Sequence, residues 1–126
     1  MYLINVKDDF CAAHFLKWPD GSAEGLHGHN WKVEIAVKCD ELDEAGLGID
    51  YLFIYKHLHE ILNEKLDHKN LNCLKEFNDK NPTSENVAKW IFDQMSIVVK
   101  NKNTKAIVQS ITICETDNFC VTYKVT

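Results

Sequence analysis

The sequence predicts an α+β domain: a four-stranded antiparallel sheet with two helices on one face, in the order ββααββ. Three observations point there. Apolar residues alternate near both ends of the chain, they recur at helical spacing in the middle, and turn or cap chemistry marks the junctions. With 126 residues, 45% hydrophobic and 26% charged, the chain has material for one core rather than two. Residues 1–126 therefore read as a single domain, with no repeat, linker or low-complexity segment to divide it.

The first strand is Tyr2 to Phe15, where Ile4, Val6, Phe10, Ala12 and His14 share one parity and Asn5, Lys7 and Asp9 the other. Asn30 to Lys38 repeats the pattern, setting Trp31, Val33, Ile35 and Val37 against Lys32, Glu34 and Lys38. Between them Trp18-Pro19-Asp20-Gly21-Ser22 is turn chemistry inside a connection long enough to carry function. After a loop at Asp40 to Gly48, Leu52 to Leu66 places Ile54, Leu58, Ile61, Leu62 and Leu66 on one helical face. Asn81-Pro82-Thr83-Ser84-Glu85 opens a second helix, with either hydroxyl as cap, and Val87, Ile91, Met95 and Val98 form its stripe to an end at Asn101 to Asn103. Ala106 to Glu115 and Phe119 to Val125 are the closing strands, joined through Thr116-Asp117-Asn118.

Composition narrows the partners. The 14 basic residues against 19 acidic ones leave a net charge of −5, and every basic residue is Lys, so no guanidinium fork is present to read bases or clamp phosphates. Nucleic acid is not the expected partner. No apolar run approaches a membrane span and the first residues lack the order of a signal peptide, which predicts a cytoplasmic protein. The five cysteines are odd in number and contain no C-x-x-C pair, so reduced thiols are expected.

The chemistry concentrates in histidines. His27 and His29 lie two apart at the start of the second strand, so both face the side of Trp31, and His14 shares the inward parity of Phe10. Three imidazoles converging across paired strands, with a fourth position left open, describe a catalytic zinc site; satisfied core histidines are the alternative. Such a site alone also fits a three-histidine hydrolase or hydratase. Asp67-His68 offers an acid–imidazole pair for general acid–base work, or a surface dipeptide. Glu115 is in phase with Ile111 and Ile113, which aims a carboxylate at the buried face unless the strand end turns it to solvent. His57 and His59 face different ways on the first helix and read as surface residues.

Taken together, Phe10-x-Ala12-Ala13-His14, Leu26-His27-Gly28-His29-Asn30-Trp31, Gly48-Ile49-Asp50-Tyr51, Leu66-Asp67-His68-x-x-Leu71-Asn72, Asn81-Pro82-Thr83-Ser84-Glu85-Asn86 and Glu115-Thr116 resemble the 6-pyruvoyltetrahydropterin synthase / 6-carboxytetrahydropterin synthase family. The resemblance implies a tunnelling fold in which trimers form a continuous barrel and pair into a homohexamer, with active sites between subunits. It implies Zn2+ on His14, His27 and His29, a catalytic pair in Asp67 and His68, and a pterin pocket lined by Glu115, Thr83 and Ser84. The usual catalytic Cys, four residues before the H-x-H, is replaced here by Ala23. The segment Glu24-Gly25-Leu26-His27-Gly28-His29 instead resembles the E-x-x-H-G-H subgroup, which implies Glu24 as general base and release of 6-hydroxymethyl-7,8-dihydropterin from 7,8-dihydroneopterin triphosphate. A 6-carboxytetrahydropterin synthase of queuosine synthesis and a non-catalytic zinc- or pterin-binding paralogue are the competing expectations.

Overall fold

A computed structural model describes residues 1–125. The chain runs β1 (Tyr2–His14), β2 (His27–Cys39), α1 (Tyr51–Ile61), β3 (Lys69–Asn70), α2 (Ser84–Lys102), β4 (Ala106–Thr116) and β5 (Phe119–Lys124). The two helices and the four long strands appear in the expected order. The sheet itself differs: it has five strands, β3-β1-β2-β4-β5, and is mixed because the two-residue β3 runs parallel to β1. Nothing in Lys69–Asn70 alternates, so no periodicity could announce it; the pairing is imposed by the turn before it. The β2 ladder also starts at His27 rather than Asn30, pairing His14 with His27 and Ala12 with His29.

Parity holds along the long strands. Val6, Phe10, Trp31, Val33, Ile35, Ile111 and Ile113 are buried on the face that both helices cover. Helix α1 contributes Ile54 and Leu58, and its continuation contributes Leu62 and Leu66. Helix α2 buries Val87, Ile91, Met95 and Val99; the last replaces the expected Val98, which is only half-buried. Trp31 is fully buried, stacks on Phe10 at 5.6 Å between centroids, and donates its indole N–H to the Ala12 carbonyl at 3.1 Å, so its polar atom is satisfied.

The ends of the helices are capped by the residues that sequence chemistry singles out. Asp50 accepts the Leu52 N–H on α1, and of the two candidate hydroxyls on α2 it is Thr83 that caps, accepting the Asn86 N–H at 3.1 Å. After Ile61 the helix widens into a π-type turn over Leu62–Leu66, closed by the Asp67 N–H on the Leu62 carbonyl at 2.8 Å. The expectation of reduced thiols is corrected at one pair: Cys114 and Cys120 face each other across β4 and β5 and form a disulfide. They are six residues apart in sequence, and only strand register brings them together. Among the described residues no helix is long and apolar enough to cross a membrane.

Candidate metal centre and active site

His14 ends β1, and His27 and His29 begin β2 on the same face. Their ring nitrogens lie within 4.8 Å of one another, the only such three-residue group among the described residues. The rings meet edge to face, with centroids 4.7 to 5.3 Å apart. Two of the imidazoles have their tautomer set by carbonyl oxygens, which can only accept. The Nδ1–H of His14 is given to Pro82 O at 2.8 Å and that of His27 to Gly25 O at 2.8 Å, which leaves a lone pair on each Nε2. His29 Nε2 is buried with no hydrogen-bond partner. Burial holds His29 below its usual 6.5; the carboxylates of Glu115 and Glu24 oppose that, and the His14 and His27 rings reinforce it.

Two carboxylates approach this cluster. Glu115 lies at the irregularity between Cys114 and Thr116, where β4 has one residue more than β5, and its oxygens stand 3.5 Å from His14 Nε2 and 3.9 Å from His29 Nε2. Glu24, in the β1–β2 connection, stands 3.9 Å from His27 Nε2. The Glu24 carboxylate also accepts the Leu16 N–H at 3.0 Å, which fixes it at the cluster's open side. Ala23 is exposed and bridges to Lys17. No thiol substitutes for it: Cys11 is on the opposite face with Sγ 3.0 Å from Asn30 Oδ1, Cys39 is buried, and Cys73 is exposed on another loop.

Asp67 and His68 form their pair, but away from the cluster. Asp67 accepts the Cys11 N–H at 2.8 Å through Oδ1 and the His68 Nδ1–H at 2.7 Å through Oδ2. The Cys11 N–H, the His68 ring and the charge of His59 hold Asp67 below its usual 3.8 against a smaller opposing effect of burial. His68 has φ of 58°, a left-handed conformation sustained by its own N–H on the Cys11 carbonyl, and its ring is 78% exposed. The structure thus brings together His14, His27, His29, Glu24 and Glu115 in one place and sets Asp67 and His68 at the sheet edge. Thr83 and Ser84 follow the Pro82 carbonyl that holds His14, and Ser84 is buried there.

A model of the 6-pyruvoyl tetrahydropterin synthase family matches residues 3–125. The chain belongs to this family. The 6-carboxy-5,6,7,8-tetrahydropterin synthase of Synechocystis is 33% identical over 99 residues, covering 75% of each chain. The dihydroneopterin monophosphate aldolase of Pyrococcus furiosus is 36% identical over 86 residues, covering 68% of each. The solved structure of Caenorhabditis elegans 6-pyruvoyl tetrahydropterin synthase superposes with a TM-score of 0.84 at 27% identity, over 99% of this chain and 96% of that one.

For a member of the 6-pyruvoyl tetrahydropterin synthase family, the metal question is decided by the donor atoms. Two Nε2 lone pairs freed by carbonyl contacts and a third buried without a partner have no protein group left to satisfy them, so the residues fit a cation. Neutral nitrogen donors with a carboxylate beside them suit a borderline ion such as zinc.

Sequence reading misses several groups in this neighbourhood. Asp8 accepts the His59 Nδ1–H at 2.9 Å, so His59 is paired rather than free on the surface, and it stands close enough to act on Asp67. The inward parity of Asp8 on β1 was a signal that such a partner was needed. Asn72 and Asn81 both grip the backbone just after His14, which no local pattern reveals.

Proposed function

We propose that this chain is a zinc-dependent lyase that cleaves the side chain of 7,8-dihydroneopterin triphosphate to 6-hydroxymethyl-7,8-dihydropterin. The observation that carries this reading is a carboxylate, Glu24, held at the open side of the three-histidine cluster in a loop whose usual thiol position is Ala23. The kinship with an aldolase acting on dihydroneopterin monophosphate supports carbon–carbon cleavage within the family.

A zinc ion on His14, His27 and His29 supplies a Lewis acid for the vicinal hydroxyls of the substrate side chain. Glu24 then takes the proton of the C2′ hydroxyl. The C1′–C2′ bond breaks, C2′ leaves as an aldehyde carrying the rest of the side chain, and the electron pair passes to C1′ and the conjugated pterin. C1′ is protonated by His68, whose Nδ1–H stays on Asp67 and whose Nε2 carries the transferred proton. Glu115, Thr83 and Ser84 hold the pterin, and Glu115 reaches the cluster from β4.

The exposure of His68 supports the homohexamer that the family resemblance implies, in which this pair serves a neighbouring protomer's cluster. Tyr51, Leu52 and Tyr55 of α1 are exposed beside the edge of β1, and Phe119 is exposed on the opposite edge strand, as edge-to-edge assembly requires. A cytoplasmic location goes with this reading.

The test is to incubate zinc-loaded wild type and Glu24→Ala with 7,8-dihydroneopterin triphosphate and identify the oxidised pterins by chromatography and mass. The expected result is 6-hydroxymethylpterin from the wild type alone. Carboxypterin would instead favour the second reading, a 6-carboxytetrahydropterin synthase of queuosine synthesis, which the Synechocystis relative supports. In that case Ala23→Cys should raise the yield. Bound pterin without turnover would leave a non-catalytic paralogue.

A further inference from the structure

Phe15, Leu16 and Lys17 prolong β1 beyond His14 without belonging to the sheet, yet their backbone groups are paired. Asn72 accepts the Phe15 N–H at 2.9 Å and donates Nδ2 to the Phe15 carbonyl at 2.9 Å. Asn81 grips Lys17 in the same way, accepting its N–H at 2.8 Å and donating to its carbonyl at 2.9 Å. Successive residues of an extended chain present these groups to opposite sides, so Leu16 faces the other way. There Glu24 accepts the Leu16 N–H on its carboxylate and donates its own N–H to the Leu16 carbonyl, both at 3.0 Å. Two carboxamides therefore stand in for strand rungs on one side, and Glu24 completes the ladder on the other.

Asn81 does more than Asn72. Its own carbonyl accepts the Asn86 Nδ2–H at 2.7 Å, and the next carbonyl along, that of Pro82, is the acceptor for His14 Nδ1–H at 2.8 Å. One side chain thus joins the backbone that carries Glu24 to the backbone that orients His14.

We propose that Asn81 is a positioning residue that fixes His14 through the Pro82 carbonyl and Glu24 through the Lys17–Leu16 backbone. The inference rests on the reading of His14 as a metal ligand and of Glu24 as the base. Outer-shell partners of ligating histidines are worth about 10- to 100-fold in metal affinity or activity. Truncating Asn81 also leaves a backbone N–H and a carbonyl of Lys17 without partners, so the segment gives way rather than merely losing one contact.

The experiment titrates the metal-free protein with Co2+ and follows the visible ligand-field bands, for wild type, Asn81→Ala, the isosteric Asn81→Asp and Asn103→Ala. Asn103 is the control, a carboxamide clamp on Gly48 at the far end of α2. The expected result is a Co2+ Kd raised about tenfold in Asn81→Ala, raised less in Asn81→Asp, which keeps the acceptor for Lys17, and unchanged in Asn103→Ala. In turnover, Asn81→Ala should lower kcat with little change in KM, and should lower it no further in a Glu24→Ala background. An unchanged Kd, an equal shift in Asn103→Ala, or losses that add to those of Glu24→Ala would overturn the proposal. If the wild type binds Co2+ but turns over no pterin, the catalytic reading fails while the affinities still decide the role of Asn81.

Discussion

Replacing Glu24 by Gln separates the two tasks assigned to its carboxylate. One is structural: the Leu16 N–H rests on Oε1 at 3.0 Å, a bond worth about 1 kcal/mol that Gln retains through its amide oxygen and Ala does not. For 126 residues the unfolding entropy is about 0.26 kcal/mol per degree, so Ala should lower Tm by about 4 °C and Gln by under about 2 °C. The other task is chemical. An amide cannot accept the hydroxyl proton, so both variants should lose about 10²- to 10⁴-fold in kcat, a barrier increase of about 3 to 5 kcal/mol. Single-turnover formation of hydroxymethylpterin on zinc-loaded protein measures the rate, and thermal unfolding of the same samples measures the clamp. If Gln keeps more than about a tenth of the wild-type rate, Glu24 is a loop clamp and not a base. If Gln and Ala lower Tm alike, the hydrogen-bond argument is wrong even where the kinetic one survives.

Three further outcomes follow from the packing and electrostatics. A methyl group at Gly48 would sit 2.7 Å from Cys39 Cβ and 3.3 Å from Ile4 Cδ1, so Gly48→Ala should cost about 1 to 3 kcal/mol, read as a lower urea midpoint at unchanged m-value. Asp67 titrates below its usual 3.8 in the folded protein, so its contribution to stability is present above that pH and is lost as pH falls through the lower folded value. The stability gap between wild type and Asp67→Asn should therefore narrow only below 3.8, and a gap that is flat through that range refutes the assignment. Chelation should lower Tm by about 10 °C when free metal had stood at about 100 times its Kd, and His14→Ala should remove that sensitivity.

What could be read from the residues alone was whatever alternation or helical spacing carries. Trp31, Val33 and Ile35 were placed correctly because a half-buried strand repeats every two residues, and the same rule put His14, His27 and His29 on one face before any distance was known. Glu115 was in the right phase, but its approach to His14 depends on an extra residue in β4 that parity cannot foretell. Contacts made by isolated residues across long separations were invisible: β3 beside β1, the disulfide of Cys114 with Cys120, the pairing of His59 with Asp8, and the carboxamides of Asn72 and Asn81. The Asp67–His68 pair was foreseen as a unit, whereas its distance from the imidazoles was not, since sequence says nothing of which protomer a side chain will serve.

The widened turn at Leu62–Leu66 makes chain length there a constraint in its own right. A π-type turn stores one residue beyond what an α-helix needs to reach the same point. Deleting any one of those residues would let the helix close normally, and everything after it would step back by about 1.5 Å and rotate by about 100°. Leu66 would swing out of the core, Asp67 would miss the Cys11 amide, and the short parallel rung would fall out of register. Substitutions in this stretch can be absorbed one side chain at a time, but a shortened gene would uncouple the acid–imidazole pair from the sheet in a single event. Indels tolerated in the exposed loop at Asp40 to Gly48 should thus be absent from this turn in any functional variant selected from a random library.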